Sequence, residues 1–189
     1  MSAVWRPVSS PMESLILVDD EDREIGHCSK EECHRGDGLL HRAFSVFIFN
    51  REGKVLLQQR SEQKPLWPLY WSNSCCSHPR RSETVEEAAY RRVREELNLR
   101  CELRFLYKFK YQAKFGELGA EHEFCWVYAG YANGNVEAHP DEIAAWRYVE
   151  PTTLTHEIKA AEGKFTPWLK MEWERIQQDY LGDILTDLG

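Results

Sequence analysis

The run Asn73-Ser74-Cys75-Cys76-Ser77-His78-Pro79 sets a thiol two residues from an imidazole and closes on a proline, which cannot donate to a strand ladder. Alone, the run fits a zinc half-site, a redox pair or a nucleophile beside its base. Carboxylates and further imidazoles elsewhere in the chain bear on that choice. Glu121 and Glu123 flank His122, and alternate side chains of a strand share a face, so the two acids point together and His122 points away. A solvated strand face explains the two glutamates equally well. If the acids join them, His34, His41 and His78 become candidate ligands. Mixed imidazole and carboxylate ligation suits manganese, iron or zinc, with magnesium also open. His27, His139 and His156 read as ordinary polar residues.

These groups need a scaffold. Leu15 to Val18 is a short strand ended by the acidic turn Asp19 to Glu24, and Ile25 to Leu40, polar and broken by glycines, reads as a loop with at most a short helix. Ala43 to Asn50 and Val55 to Gln59 form two strands joined by Asn50-Arg51-Glu52-Gly53, with glycine at the positive-φ position. Glu83 to Asn98 is the clearest helix. Thr84 and Glu87 make a capping box, and Val85, Ala88, Ala89, Val93 and Leu97 share one face, leaving a charged face opposite. Phe105, Tyr107, Phe109 and Tyr111 alternate with Leu106, Lys108, Lys110 and Gln112 as in a half-buried strand. A five-residue loop at Phe115 to Gly119 then sets Tyr111 opposite Glu123 and Ala113 opposite Glu121. Trp146 to Val149 is a further strand and Pro151 to Ala161 a helix. A last helix starts at Thr166-Pro167 and carries a core stripe of Leu169, Trp173, Ile176 and Tyr180. Trp168 lies off that stripe.

With 189 residues, 42% of them hydrophobic, the chain suits one large domain over residues 15–189 behind a lead at 1–14. A net charge of -7 argues against nucleic acid and anionic membrane as partners, so any anionic substrate must be met by a few placed cations. Six cysteines without a paired CxxC motif fit a reducing cytoplasm, and no apolar run is long enough to span a bilayer.

Glu83, Arg91, Val93, Glu95, Glu96 and Leu99 match the Nudix hydrolase box in spacing, while Ser77 and Asn98 stand at its glycine positions and Arg92 at one of its glutamates. Taken with Val18-Asp19-Asp20-Glu21-Asp22, the His34 and His41 pair, Trp71 to Pro79, Glu121-His122-Glu123 and Phe165-Thr166-Pro167-Trp168, the chain resembles the type 1 isopentenyl diphosphate isomerases from Leu15 to Trp173. That resemblance implies an α/β Nudix fold, a mixed central β-sheet with helices packed against it. It also implies that isopentenyl and dimethylallyl diphosphate are interconverted through a tertiary carbocation.

By the same resemblance, His34, His41, His78, Glu121 and Glu123 hold one divalent metal, manganese, zinc or magnesium. Glu96 and the Cys76 carbonyl hold a magnesium ion that accompanies the diphosphate, and Lys30, Arg60, Lys64 and Arg92 grip the diphosphate itself. Cys76 and Glu123 form the acid/base pair, Tyr111 bonds the glutamate, and Trp168 faces the cation. No flavin is expected, the only partner expected is the small diphosphate substrate, and the protein is expected as a monomer or weak homodimer. A Nudix-type pyrophosphohydrolase of a nucleoside diphosphate derivative is the alternative, and a non-catalytic zinc-binding domain stands third.

Overall fold

A computed structural model describes residues 10, 13–160 and 165–187. Most of the lead at 1–14 lies outside the described residues, as does Ala161. The first strand begins at Ser14, one residue before the expected boundary.

Among the described residues, a mixed sheet of nine strands is assembled around β3 (His41–Phe49). Its inner edge pairs in parallel with β8 (Ala120–Tyr131), and its outer edge pairs antiparallel with β6 (Cys75–Ser77), while β1 (Ser14–Val18) and β4 (Val55–Arg60) meet its two ends. Beyond them lie β2 (Glu24–Ser29) on β1, β5 (Trp71–Ser72) and β9 (Ile143–Val149) on β4, and β7 (Glu102–Lys114) on β8. A strand paired on both edges and covered on both faces has no polar side, which is why Phe44 to Phe49 reads as almost unbroken apolar sequence. Phe44, Val46 and Ile48 pack under α2 (Val85–Leu97), whereas Phe47 and Phe49 pack under α4 (Pro167–Asp179). The remaining helices are α1 (Lys30–Cys33), α3 (Pro151–Ala160) and α5 (Leu181–Thr186). No helix among the described residues is long and apolar enough to cross a membrane.

Several local readings hold. The Thr84 capping box forms reciprocally, and α2 ends on Asn98 in the left-handed conformation at φ 52°, where asparagine does the work more often given to glycine. Gly53 takes φ 74° in the β3–β4 turn, and Asn50 Oδ1 accepts from the Glu52 and Lys54 amides. The β7–β8 register is as expected, Tyr111 against Glu123 and Ala113 against Glu121.

Others need correction. The first part of the expected loop, Ile25 to Ser29, is strand, joined by Glu24 from the expected turn: β2 is an edge strand with one neighbour, so it lacks the apolar alternation that a covered face imposes. The alternation of β7 breaks at a bulge between Phe105 and Tyr107, which turns Phe105 onto the outer face against Trp126 and Tyr128. The charged side of α2 is not wholly solvated, since Arg92 and Glu96 are buried. Thr166 precedes α4 without a side-chain cap, its hydroxyl lying 3.2 Å from that of Ser72 instead. Trp168, though off the stripe, is a buried core residue of α4, with its ring edge-on to Trp67 and its indole N–H donating to Ser72 Oγ at 2.9 Å.

Candidate metal centre and adjoining cavity

Sheet geometry brings the chemistry together. His41 opens β3 and is the register partner of Glu123 on β8, which is in turn the partner of Tyr111 on β7. Three neighbouring strands therefore present His41, Glu123 and Tyr111 in one row, with Glu121 two residues along. On the other side of β3, Cys76 pairs with Ser45, four residues from His41 and thus on the same face, and His78 follows two residues later. Cys75 turns the opposite way, into the core under α2. The tight run before it is built from side chains: Asn73 Nδ2 donates to the Val46 and Cys75 carbonyls, while Ser74 Oγ accepts from Ile48 N–H and donates to the Leu56 carbonyl.

His34 comes from the end of α1. Gly119, in the β7–β8 loop, allows the approach, because a Cβ there would lie 2.4 Å from the His34 carbonyl oxygen. That same oxygen accepts from the Ala120 amide at 3.0 Å. One ligand atom from each of His34, His41, His78, Glu121 and Glu123 can be chosen so that all five lie within 4.8 Å of one another. The imidazole centroids are 4.8 to 5.3 Å apart.

The donor set fits a cation. His34 Nδ1 and His41 Nδ1 lie 2.6 and 2.7 Å from the Lys30 and Leu39 carbonyls, which can only accept, so each Nδ1 carries the proton and each Nε2 turns a lone pair inward. His41 Nε2 is buried with no hydrogen-bond partner. Glu121 Oε2 sits 2.8 Å from His34 Nε2, also without a hydrogen bond, so two lone pairs face each other unless a second ring proton or a cation stands between them. His78 Nε2 is 3.1 Å from Glu123 Oε1, and Tyr111 O–H donates to Glu123 Oε2 at 2.7 Å.

Burial sets the protonation of the side chains themselves. It pushes His41 down to about 3, helped by the charge of His34, and pushes His78 well below the usual imidazole range. Burial also disfavours charge on His34, but the Glu121 carboxylate outweighs it and raises that imidazole. Glu121 is correspondingly held low against burial by His34, while Glu123 is raised well above the carboxylate range by burial and by Glu121. A divalent charge at the centre would oppose the rise at Glu123. Burial pushes the Cys76 thiol up to about 12 and Tyr111 well above 10, so both remain proton donors near neutral pH.

A cavity of about 680 Å³ opens beside this cluster. Cys76, Tyr111, Trp168, His34, His78, Glu121 and Glu123 line it, as do the four expected cations Lys30, Arg60, Lys64 and Arg92. Arg60 donates to the Trp67 and Leu66 carbonyls and lies 5.3 Å over the Trp168 ring. Burial, then repulsion from Lys64 and Arg92, lowers Lys30 to about 8. His41 and Glu96 are not in the wall. His41 is fully enclosed in the ligand cluster, and Glu96 lies behind Arg92, with Oε1 accepting from Arg92 Nε and Nη2 at 3.0 and 2.6 Å.

Sequence reasoning missed two buried acids. Glu142 bonds Lys64 and stands 3.1 Å from Arg92, but in the sequence it is one acid in a polar loop with no periodicity to mark it. Glu172 is fully buried on α4, one turn beyond Trp168, near Cys125 Sγ at 3.5 Å and with Oε2 unpartnered. Burial raises its carboxyl from 4.5 to about 8. Between those values the folded protein keeps a proton that the unfolded chain has released, so stability falls as pH rises through this window. Glu172→Gln should therefore melt above the wild type at pH 8.5, with the difference shrinking toward pH 5. Parallel melting curves at both pH values would show the carboxyl to be ionised in the fold.

The NUDIX domain profile matches residues 39–169. An isopentenyl-diphosphate Delta-isomerase 1 from Photorhabdus laumondii is 41% identical over 89% of this chain and 97% of its own length. The Serratia proteamaculans isopentenyl-diphosphate Delta-isomerase is 45% identical over 82% and 87%. A bovine relative of the same name is 38% identical over 88% and 83%. Among solved structures, the Deinococcus radiodurans protein DR0079 superposes with a TM-score of 0.71 at 25% identity, covering 86% of this chain and 98% of its own. A MutT protein from Methanosarcina mazei, at 17% identity and a TM-score of 0.62 over 74% and 94%, shares the fold.

Proposed function

The chain belongs to the isopentenyl-diphosphate Delta-isomerases built on the NUDIX domain, and from that premise we propose how its cavity works. The protein is an isomerase that interconverts isopentenyl and dimethylallyl diphosphate. One observation carries the reading of the site: Cys76 and the Tyr111-bonded Glu123, from strands on opposite sides of β3, line a single cavity together with four cations.

An unactivated alkene is a poor base, so the site must supply a positioned acid and a partner base. One member of the Cys76 and Glu123 pair gives its proton to the terminal methylene, leaving a tertiary cation. The other, which must be ionised beforehand, takes a proton from the allylic carbon, and that C–H electron pair becomes the new double bond. A divalent charge beside Glu123 would favour its ionised form opposite the Cys76 thiol. Tyr111 fixes the Glu123 carboxyl by its hydrogen bond. Trp168 offers the negative face of its indole to the cation, and its present neighbour there, the Arg60 guanidinium, supports that use. Leu66, the Tyr111 ring and Trp168 form an apolar part of a lining that is otherwise mostly charged, and water has to be kept from that part or it would trap the cation as an alcohol.

His34, His41, His78, Glu121 and Glu123 would hold one divalent ion, zinc, manganese or magnesium. Glu96 and the Cys76 carbonyl would hold a magnesium ion accompanying the substrate, for which Glu96 has to leave the Arg92 pair that keeps it behind the cavity wall. Bound there, such ions supply positive charge that neutralises the diphosphate and biases the protonation of Glu123. Lys30, Arg60, Lys64 and Arg92 grip the diphosphate. No electron is transferred, so the reaction requires no flavin. We place the protein in the cytoplasm, where its six free cysteines remain reduced.

The hydrolase alternative is disfavoured because Arg92 occupies a helix position of the Nudix box and binds the neighbouring carboxylate of Glu96. Proton NMR of the metal-loaded protein with isopentenyl diphosphate and magnesium in heavy water, without flavin or nicotinamide, tests the proposal. Dimethylallyl diphosphate carrying solvent deuterium is expected. Unchanged substrate with hydrolysis of nucleoside diphosphate derivatives would overturn it.

A further inference from the structure

Lys64 and Arg92 reach the cavity from distant parts of the chain, the loop after β4 and the middle of α2. Both end on one carboxylate. Glu142 bonds Lys64 through Oε2 and lies 3.1 Å from Arg92 Nη2 through Oε1. Its side chain is 4% exposed, and its backbone is tied down by two hydrogen bonds: Glu142 N–H donates to the His139 carbonyl, and its own carbonyl accepts from Ser61 N–H. The acid is therefore a fixed bracket and not a mobile counter-ion.

We propose that Glu142 is a positioning residue for the diphosphate, holding Lys64 and Arg92 side by side in the cavity wall so that both cations face phosphate oxygens. This rests on the diphosphate reading above. An ammonium carries three N–H donors, so Glu142 leaves donors on Lys64; Arg92 meets Glu96 through Nε and Nη2, Glu95 through Nη1 and Glu142 through Nη2, and its donors come to phosphate only as Glu96 is drawn away. A lysine already held in place loses less side-chain freedom when phosphate arrives than one swinging in solvent. Arg92 has a second reason to need the bracket. Under the same reading Glu96 would turn toward magnesium, and Arg92, buried beside it, would then keep Glu142 as its buried anionic partner, with the more exposed Glu95 at 3.3 Å as the other.

The test is a double-mutant cycle on the metal-loaded full chain, with pyrophosphate and magnesium titrated calorimetrically and KM and kcat measured for isopentenyl diphosphate. Glu142→Gln should weaken pyrophosphate binding and raise KM by about tenfold each, while kcat moves by less than about threefold. In a Lys64→Met background the same substitution should cost less than about threefold, because one of the two cations it positions is gone. Pyrophosphate bound as tightly or more tightly by Glu142→Gln would make the acid a competitor and overturn the proposal. So would additive losses in the double variant, or a loss confined to kcat. Glu142→Asp keeps the charge but cannot span both cations; it replaces Glu142→Gln if that variant does not fold, with the same expected directions. If the wild type binds pyrophosphate but does not isomerise, the functional reading fails while the binding cycle still decides the bracket.

Discussion

Cys76→Ala is expected to lower isomerase turnover by about a thousandfold or more, to the limit of detection, while the protein keeps its metal and its fold. The size follows from what is removed, since a positioned acid or base is worth roughly a hundred- to ten-thousandfold and an alkene has little reactivity to fall back on. The selectivity follows from geometry. Cys76 lines the cavity, whereas its neighbour Cys75 is fully buried under α2 and faces away. None of the five atoms of the ligand cluster belongs to either side chain. Cys75→Ala should therefore cost about 1 kcal/mol of stability, as a small core truncation, and leave turnover within a few-fold of wild type. Proton NMR of substrate conversion, paired with metal analysis of both variants, decides it. Equal activity losses in the two, or loss of metal in Cys76→Ala, would withdraw the acid/base assignment from that thiol.

The sequence singled out Cys76 from its neighbour only through the motif that carries the resemblance; the short strand β6, whose alternation sends the two cysteines to opposite faces, was not legible there. The register of Tyr111 against Glu123 was legible, since a hairpin's loop length fixes which residues meet. What no local pattern announces is the parallel pairing of β3 with β8, which makes His41 and Glu123 partners across 82 positions of chain. Residue types named those two as candidate ligands, and only the sheet order explains why they meet. Burial of charge was illegible for a similar reason. On α2, Arg92 and Glu96 look like any solvated i, i+4 pair; they are buried because Glu142 arrives from a distant loop to complete the network. Trp168 was misjudged in the other direction: its position off the apolar stripe marked it as unusual, yet it serves both as core and as cavity wall.

Removing divalent metal with a chelator is expected to abolish activity and to lower the melting temperature by roughly 10 °C, and His41→Ala should reproduce both losses in one step. The folded chain gathers three imidazoles and two carboxylates in a buried cluster, and their arrangement makes sense only around a positive charge. His41 Nε2 has no hydrogen-bond partner, and His34 Nε2 meets Glu121 Oε2 at 2.8 Å, a contact that needs a second ring proton or a cation between the two atoms. A buried polar atom left unsatisfied costs about 1–3 kcal/mol. An ion that binds only the folded state, present at about a thousand times its dissociation constant, adds about 4 kcal/mol. For a chain of this size each kcal/mol moves the melting point by about 2–4 °C, which gives the expected shift. In His41→Ala the chelator should then change nothing further, because the ion it would remove is no longer held. Calorimetric melts of both proteins with and without chelator, read beside activity after adding back zinc, manganese or magnesium, make the comparison. A wild-type protein that melts at the same temperature and turns over at the same rate without metal would mean that the cluster is held together by a second proton on His34. The neutral Glu123 and the low-lying His41 would then be the working state of the enzyme.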